Sequence, residues 1–143
     1  MTTRNFALWI GIAYLAAGVL GFVPMAVRPA PDVGPALAVT AFSGYLFGLF
    51  PVNFMHNLVH LAIGAWGVAA ARTAGGARTY SKSLAVFYGL LAVMGLIPAL
   101  NTLFGLAPIH GHDVWLHALT AVAAAYFGWV AAPERAPKIS AAH

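Results

Sequence analysis

The sequence predicts an all-α membrane protein in which four transmembrane helices form two parallel two-helix repeats, with a re-entrant or interfacial segment between helices 1 and 2. Three observations carry this. Of the 143 residues, 62% are hydrophobic and 7% charged, and the mean hydropathy is +0.84, outside the range of water-soluble domains. Four apolar stretches, 6–27, 54–71, 84–100 and 114–132, each approach the length of a bilayer-spanning helix, and none holds Lys, Arg, Asp or Glu. The chain also repeats itself: LFGLFPVNFMHNLVH at Leu46–His60 returns as LFGLAPIHGHDVWLH at Leu103–His117.

The first stretch follows Arg4 and invites comparison with a secretory signal. It is longer than a typical apolar signal region and lacks a small-x-small cleavage site before Arg28, so a retained helix is expected. The connection after it contains an apolar run, 39–50, that is too short to cross, holds Gly44 and Gly48, and would reverse the charge topology if it did cross. It is therefore expected to lie over the outer end of the bundle. The second and fourth stretches follow Pro51 and Pro108, residues suited to a first helical turn.

The helix ahead of each copy matches as well. VLGFVP at Val19–Pro24 corresponds to VMGLIP at Val93–Pro98, and Tyr14 to Tyr88, at an offset of 74 that falls to 57 because the first connection is 17 residues longer. The unit is thus a helix pair, about 5–72 and again about 82–132, within a single transmembrane domain spanning 1–143. Two crossings per unit preserve orientation, so a pseudo-twofold axis along the membrane normal is expected.

Arg4, Arg72, Arg78, Lys82, Arg135 and Lys138 fall on one side of this topology and only Arg28 on the other. Basic residues mark the cytoplasmic side, so both termini, and a short tail at 133–143, are expected there. The net charge of +4 is then a topological signal; no basic cluster interleaved with aromatics points to nucleic acid. Trp9, Trp66, Trp115 and Trp129 suit interfacial or packing roles. With no cysteine, disulfides and thiolate metal sites are excluded.

Aligning the copies sets Asn53 against His110, His56 against Asp113, and His60 against His117. The last two positions are spaced i, i+4 on each helix and so share one face. His56, His60, Asp113 and His117 can therefore converge from two helices at one depth. Three imidazoles and a carboxylate match the ligand types of a tetrahedral zinc site, and copper or iron would accept the same nitrogens. His110, His112 and Asn53 are further candidates at the margin. Other roles stay open: Asp113 as an N-cap, Asn53 as a cap or hydrogen bonder, His60 and His117 as polar contacts between helices, and His110 and His112 as solvated loop residues.

The blocks LFGLFPVNFMHNLVHLAIG and NTLFGLAPIHGHDVWLHALTAVAAAYFG resemble the signatures of a bacterial family of small four-helix integral membrane proteins known only as a domain of unknown function. The resemblance covers nearly the whole chain. It implies the four-helix fold and the bacterial cytoplasmic membrane, and it implies no activity.

Three functional classes follow from the residues. One is a metal-binding membrane protein that senses, stores or stabilises. Another is a haem b carrier with His60 and His117 as axial ligands, for which Ala62, Gly64 and Ala65 would leave room. The third is an accessory subunit of a larger membrane complex or homo-oligomer. Catalysis is disfavoured: five candidate histidines are fewer than membrane di-iron oxygenases use, and no catalytic triad order, phosphate-binding glycine loop or carboxylate pair is present.

Overall fold

The structure, a computed structural model, describes residues 1–30 and 34–132. Four helices dominate it: α1 (Thr3–Leu20), α2 (Phe54–Ala70), α3 (Ala74–Leu96) and α4 (His112–Ala125), the last continuing into a π-helical turn at Tyr126–Val130. Three short strands, β1 (Val27–Arg28), β2 (Gly44–Leu46) and β3 (Phe50–Val52), form an antiparallel sheet in the order β1-β2-β3. Two helices, Thr3–Leu20 and Ala74–Leu96, are long and apolar enough to cross a membrane; α2 is apolar but only 17 residues long.

Local chemistry sets the ends. The side chains of Thr2 and Thr73 accept from the backbone N–H of Asn5 and Gly76, capping α1 and α3. Helix α1 stops at Leu20, short of the expected Val27, because Pro24 enforces a separate 3-10 turn. Helix α3 begins about ten residues before its apolar stretch and carries Arg78 and Lys82 in its first turns. The proposed tail at 133–143 lies outside the described residues.

The connection between α1 and α2 corrects the all-α expectation. Within the apolar run at 39–50, expected as a re-entrant or interfacial segment, Gly44–Leu46 form β2 and Phe50 opens β3, and the two strands pair with Tyr45 opposite Pro51. Pro51 thus sits in an edge strand, which tolerates its missing N–H, and not in the first turn of α2. Pro108 likewise precedes α4 by several residues. The repeated LFGL shares its turn in both copies, since Phe47 and Gly48, then Phe104 and Gly105, all take positive φ, but Leu103 is positive as well while Leu46 is in β2. Glycine accepts this freely, whereas the phenylalanines occupy a region costly for a side chain with a Cβ.

Helix α1 packs mainly on α2, and α3 mainly on α4. A Cβ at Gly64 would stand 2.7 Å from the carbonyl oxygen of Gly11, so α1 and α2 touch backbone to backbone. The corresponding positions in the second pair are Ala85 and Ala121. At the opposite end from the sheet, Arg4 Nε donates to the carbonyl of Ala71 (2.9 Å) and Arg78 Nε to that of Gly128 (3.0 Å). These bonds are related by the same offsets of 74 and 57, and each satisfies a carbonyl that a helix terminus leaves free.

Polarity is distributed inside out. Buried positions include Asn53, His56, Asn57, His60, Ser81, Asp113, His117 and Thr120. Outward faces carry Trp9, Ile12 and Val19 on α1, Leu58 and Trp66 on α2, Val86, Leu90 and Val93 on α3, and Trp115, Leu119 and Val122 on α4. Water would penalise such an arrangement over so large an area.

Candidate metal centre

The start of α2 is tied down by Asn53. Its Oδ1 accepts from the backbone N–H of His56 (2.9 Å), while its amide donates to the carbonyls of Val39 (2.9 Å) and Leu106 (2.8 Å). One side chain thereby caps the helix and joins the connections that precede α2 and α4. One turn deeper, Asn57 donates to the carbonyl of Gly21 (2.7 Å) and fixes α2 against the end of α1. His56 and His60 then face inward, both buried.

On α4 the N-cap is Gly111, with φ of 66°. Asp113 is therefore not the cap; it lies in the first turn, 1% exposed, on the same face as His117. Its Oδ2 stands 3.5 Å from His56 Nε2 and 3.9 Å from His117 Nε2. Ligand atoms of His56, Asp113 and His117 all lie within 4.8 Å of one another, so this buried group could hold a metal ion. His60 adjoins the group through His56, with the two Nε2 atoms 3.2 Å apart.

Hydrogen bonding defines the state of one ligand. His56 Nδ1 is 2.9 Å from the carbonyl oxygen of Pro108. A carbonyl only accepts, so Nδ1 carries the proton and Nε2 of the neutral ring presents its lone pair toward His60 and Asp113. Holding a ligating imidazole by its second nitrogen in this way is typical of metal sites. Asp113 Oδ2, by contrast, has no hydrogen-bond partner, and neither do the Nδ1 atoms of His60 and His117. No Lys or Arg side chain reaches Asp113 among the described residues. A buried carboxylate oxygen aimed at two ring nitrogens, too far to bond either, is costly unless it takes a proton or something positive lies between them.

Aromatic rings support the imidazoles. Tyr14 packs on His60 (ring centroids 5.1 Å apart), Tyr88 on His117 (5.0 Å), and the two tyrosines stack on each other (5.2 Å). Tyr14 and Tyr88 are repeat equivalents, as are His60 and His117, so the same contact is made twice. The hydroxyl of Tyr14 reaches Thr120 Oγ1 at 3.2 Å. In the sequence the tyrosines mark only the register of the repeat, and their recurrence alongside the histidines is the signal of this contact. The Pro108 carbonyl had none, because backbone acceptors are invisible to residue type.

The marginal candidates separate clearly. Asn53 caps and bridges, and its side chain is fully used there. His112 is exposed and approaches only the ring of Phe50, 6.5 Å away. His110 is half-buried in a cleft above the cluster, where burial lowers its pKa below the ordinary imidazole value. Beneath the cluster lies a cavity of about 60 Å³, lined by His56, His60 and His117 with Val59, Phe87, Tyr88, Leu91, Leu103, Ala107 and Ile109. It has room for a few water-sized groups, not for a porphyrin, and nothing in the packing supports the haem alternative.

A search of curated proteins and one of solved structures each return no match. A family model described as a domain of unknown function, DUF4383, matches residues 4–130, a span that includes all four helices and every candidate ligand of the cluster. The chain belongs to the DUF4383 family.

Proposed function

We propose that the chain is a four-span membrane protein that binds one transition-metal ion between the outer ends of α2 and α4, with His56, His60, Asp113 and His117 as ligands. The observation that carries this reading is the buried, unbonded Asp113 oxygen facing His56 and His117. A cation there satisfies the carboxylate and the ring nitrogens together. Zinc is favoured over copper or iron by spacing. Ligands at about 2.0–2.1 Å in a tetrahedral arrangement are separated by about 3.3 Å, whereas neighbouring corners of a square-planar copper site are nearer about 2.8 Å apart. The observed 3.2 and 3.5 Å lie near the former, while His117, 3.9 Å from Asp113 in a group that spans up to 4.8 Å, must move inward to bind.

The lipid setting is supported by the apolar outward faces of all four helices, including the two not long enough to qualify alone. It is supported further by the matched Arg4 and Arg78 caps at one end, the expected cytoplasmic side, and by the recurring contacts of a parallel repeat. In this reading the protein is multi-pass in the bacterial cytoplasmic membrane, with both termini inside. A buried ligand set with hydrogen-bonded support suits sensing, storage, or stabilising a homo-oligomer or larger membrane complex better than turnover.

The test is elemental analysis of protein purified in detergent without chelators. One zinc per chain is expected, from a colourless preparation. A preparation that neither retains nor takes up zinc, copper or iron stoichiometrically would overturn the metal assignment, and a Soret band would transfer it to haem.

A further inference from the structure

The segment that leads into α4 separates two spaces. Ala107 and Ile109 line the inner cavity with His56, His60 and His117. Pro108 and His110 line a second cleft of about 160 Å³, whose other walls include Gly34, Tyr45, Pro51 and Val52. Residues of an extended segment point alternately to opposite sides, so the partition between cleft and cluster is one chain thick. It is held by Ala107 N–H to the Thr102 carbonyl (3.1 Å), Ile109 N–H to the Asn101 carbonyl (2.9 Å), and the bond from His56 Nδ1 to the Pro108 carbonyl. The partition is therefore tied directly to a proposed ligand.

The two spaces differ in what they offer an ion. Apart from its imidazoles, the inner cavity is walled by apolar groups and the Tyr88 ring, and it is flanked by Val59 and Phe87, which are exposed on the outward face. A divalent cation approaching that way would lose its hydration before meeting any ligand, a prohibitive cost. The cleft, open at the end where α2 and α4 begin, presents His110, whose ring has no hydrogen-bond partner among the described residues. A neutral imidazole there can replace one water of a hydrated metal ion.

Building on the metal-binding reading, we propose that His110 is a loading ligand: a hydrated divalent transition-metal ion is captured in the outer cleft and handed across the Ala107–His110 partition to His56 and Asp113. His110 then shapes the rates of binding and release without belonging to the final ligand set.

The experiment follows zinc uptake by the metal-free full chain in detergent, by stopped flow, and zinc release to a fluorescent chelator. His110→Ala is expected to slow both by the same factor and so leave Kd, their ratio, unchanged. A second variant tests the route itself. A Cβ at Gly34 meets nothing within 4 Å, and the chain has no cysteine, so Gly34→Cys can be loaded uniquely with a bulky thiol reagent that fills the cleft. Labelling should slow uptake, whereas labelling Gly75→Cys, in the distant first turn of α3, should not. Unchanged rates in both cleft variants, with zinc affinity intact, overturn the loading route alone. A weaker Kd in His110→Ala makes His110 an equilibrium ligand and also overturns it. Failure of the unmodified chain to bind zinc overturns the metal reading and the route together.

Discussion

Replacing His56 by alanine tests the cluster at the point where most of its contacts meet. The ring stands 3.2 Å from His60 Nε2 and 3.5 Å from Asp113 Oδ2, and holds the Pro108 carbonyl at 2.9 Å. Zinc bound by four protein ligands releases about 10–16 kcal/mol, so one ligand accounts for roughly a quarter, about 2.5–4 kcal/mol. That corresponds to about two to three orders of magnitude in Kd. A second effect is independent of metal: the buried Pro108 carbonyl loses its donor, costing about 1–3 kcal/mol of stability in the metal-free protein. The assay is competitive zinc titration against a chromophoric chelator in detergent, with thermal unfolding measured with and without zinc. The expected result is a large loss of affinity together with a fall in the metal-free Tm. Zinc affinity within threefold of wild type, in a folded variant, would refute the ligand assignment, because no described residue replaces His56 between His60 and Asp113.

Three other outcomes are expected. A His60→Ala, His117→Ala double variant should lose stoichiometric zinc, while His112→Ala, at an exposed position, should keep it; equal retention by both would remove the pseudo-symmetric pair from the site. Arg78→Ala should destabilise the chain, because Arg78 donates to the carbonyls of Gly128 (3.0 Å) and Ala131 (2.9 Å) and both bonds are partly buried. About 1.5–3 kcal/mol is expected, read from denaturant titration in detergent, and no measurable loss would contradict the capping account. For topology, a cysteine placed at Pro29 should react with an impermeant thiol reagent from the outside of intact cells, and one at Gly75 only after the membrane is opened; the reverse pattern would invert the proposed orientation.

Legibility in the sequence followed the range of the interactions involved. Apolar stretches, the charge bias and the duplicated block are properties of residue type and order, and they sufficed to predict four helices in two matched pairs. They also singled out His56, His60, Asp113 and His117, because i, i+4 spacing on a helix converts sequence distance directly into a shared face; of these, His56, Asp113 and His117 form the group that could hold a metal ion. The helix ends were less legible. The run at 39–50 reads as re-entrant or interfacial by composition, but Gly44–Leu46 within it pairs with Val27–Arg28 and Phe50–Val52 as a sheet, and strand pairing depends on partners that residue type does not name.

What the tertiary structure alone decided is how the two helices present their candidate ligands to each other. Gly111, not Asp113, became the cap of α4, which left the carboxylate free to turn inward. The Pro108 carbonyl chose the tautomer of His56, and Tyr14 and Tyr88 became the support of the imidazoles. Arg4 and Arg78, read from sequence as topological charges, also proved to cap the far ends of the helices. Each of these rests on a contact between residues at least 29 positions apart, the separation of Tyr88 and His117, or on a backbone dihedral. One-dimensional spacing carries no information about either, since a contact's partner is set by how the whole chain packs.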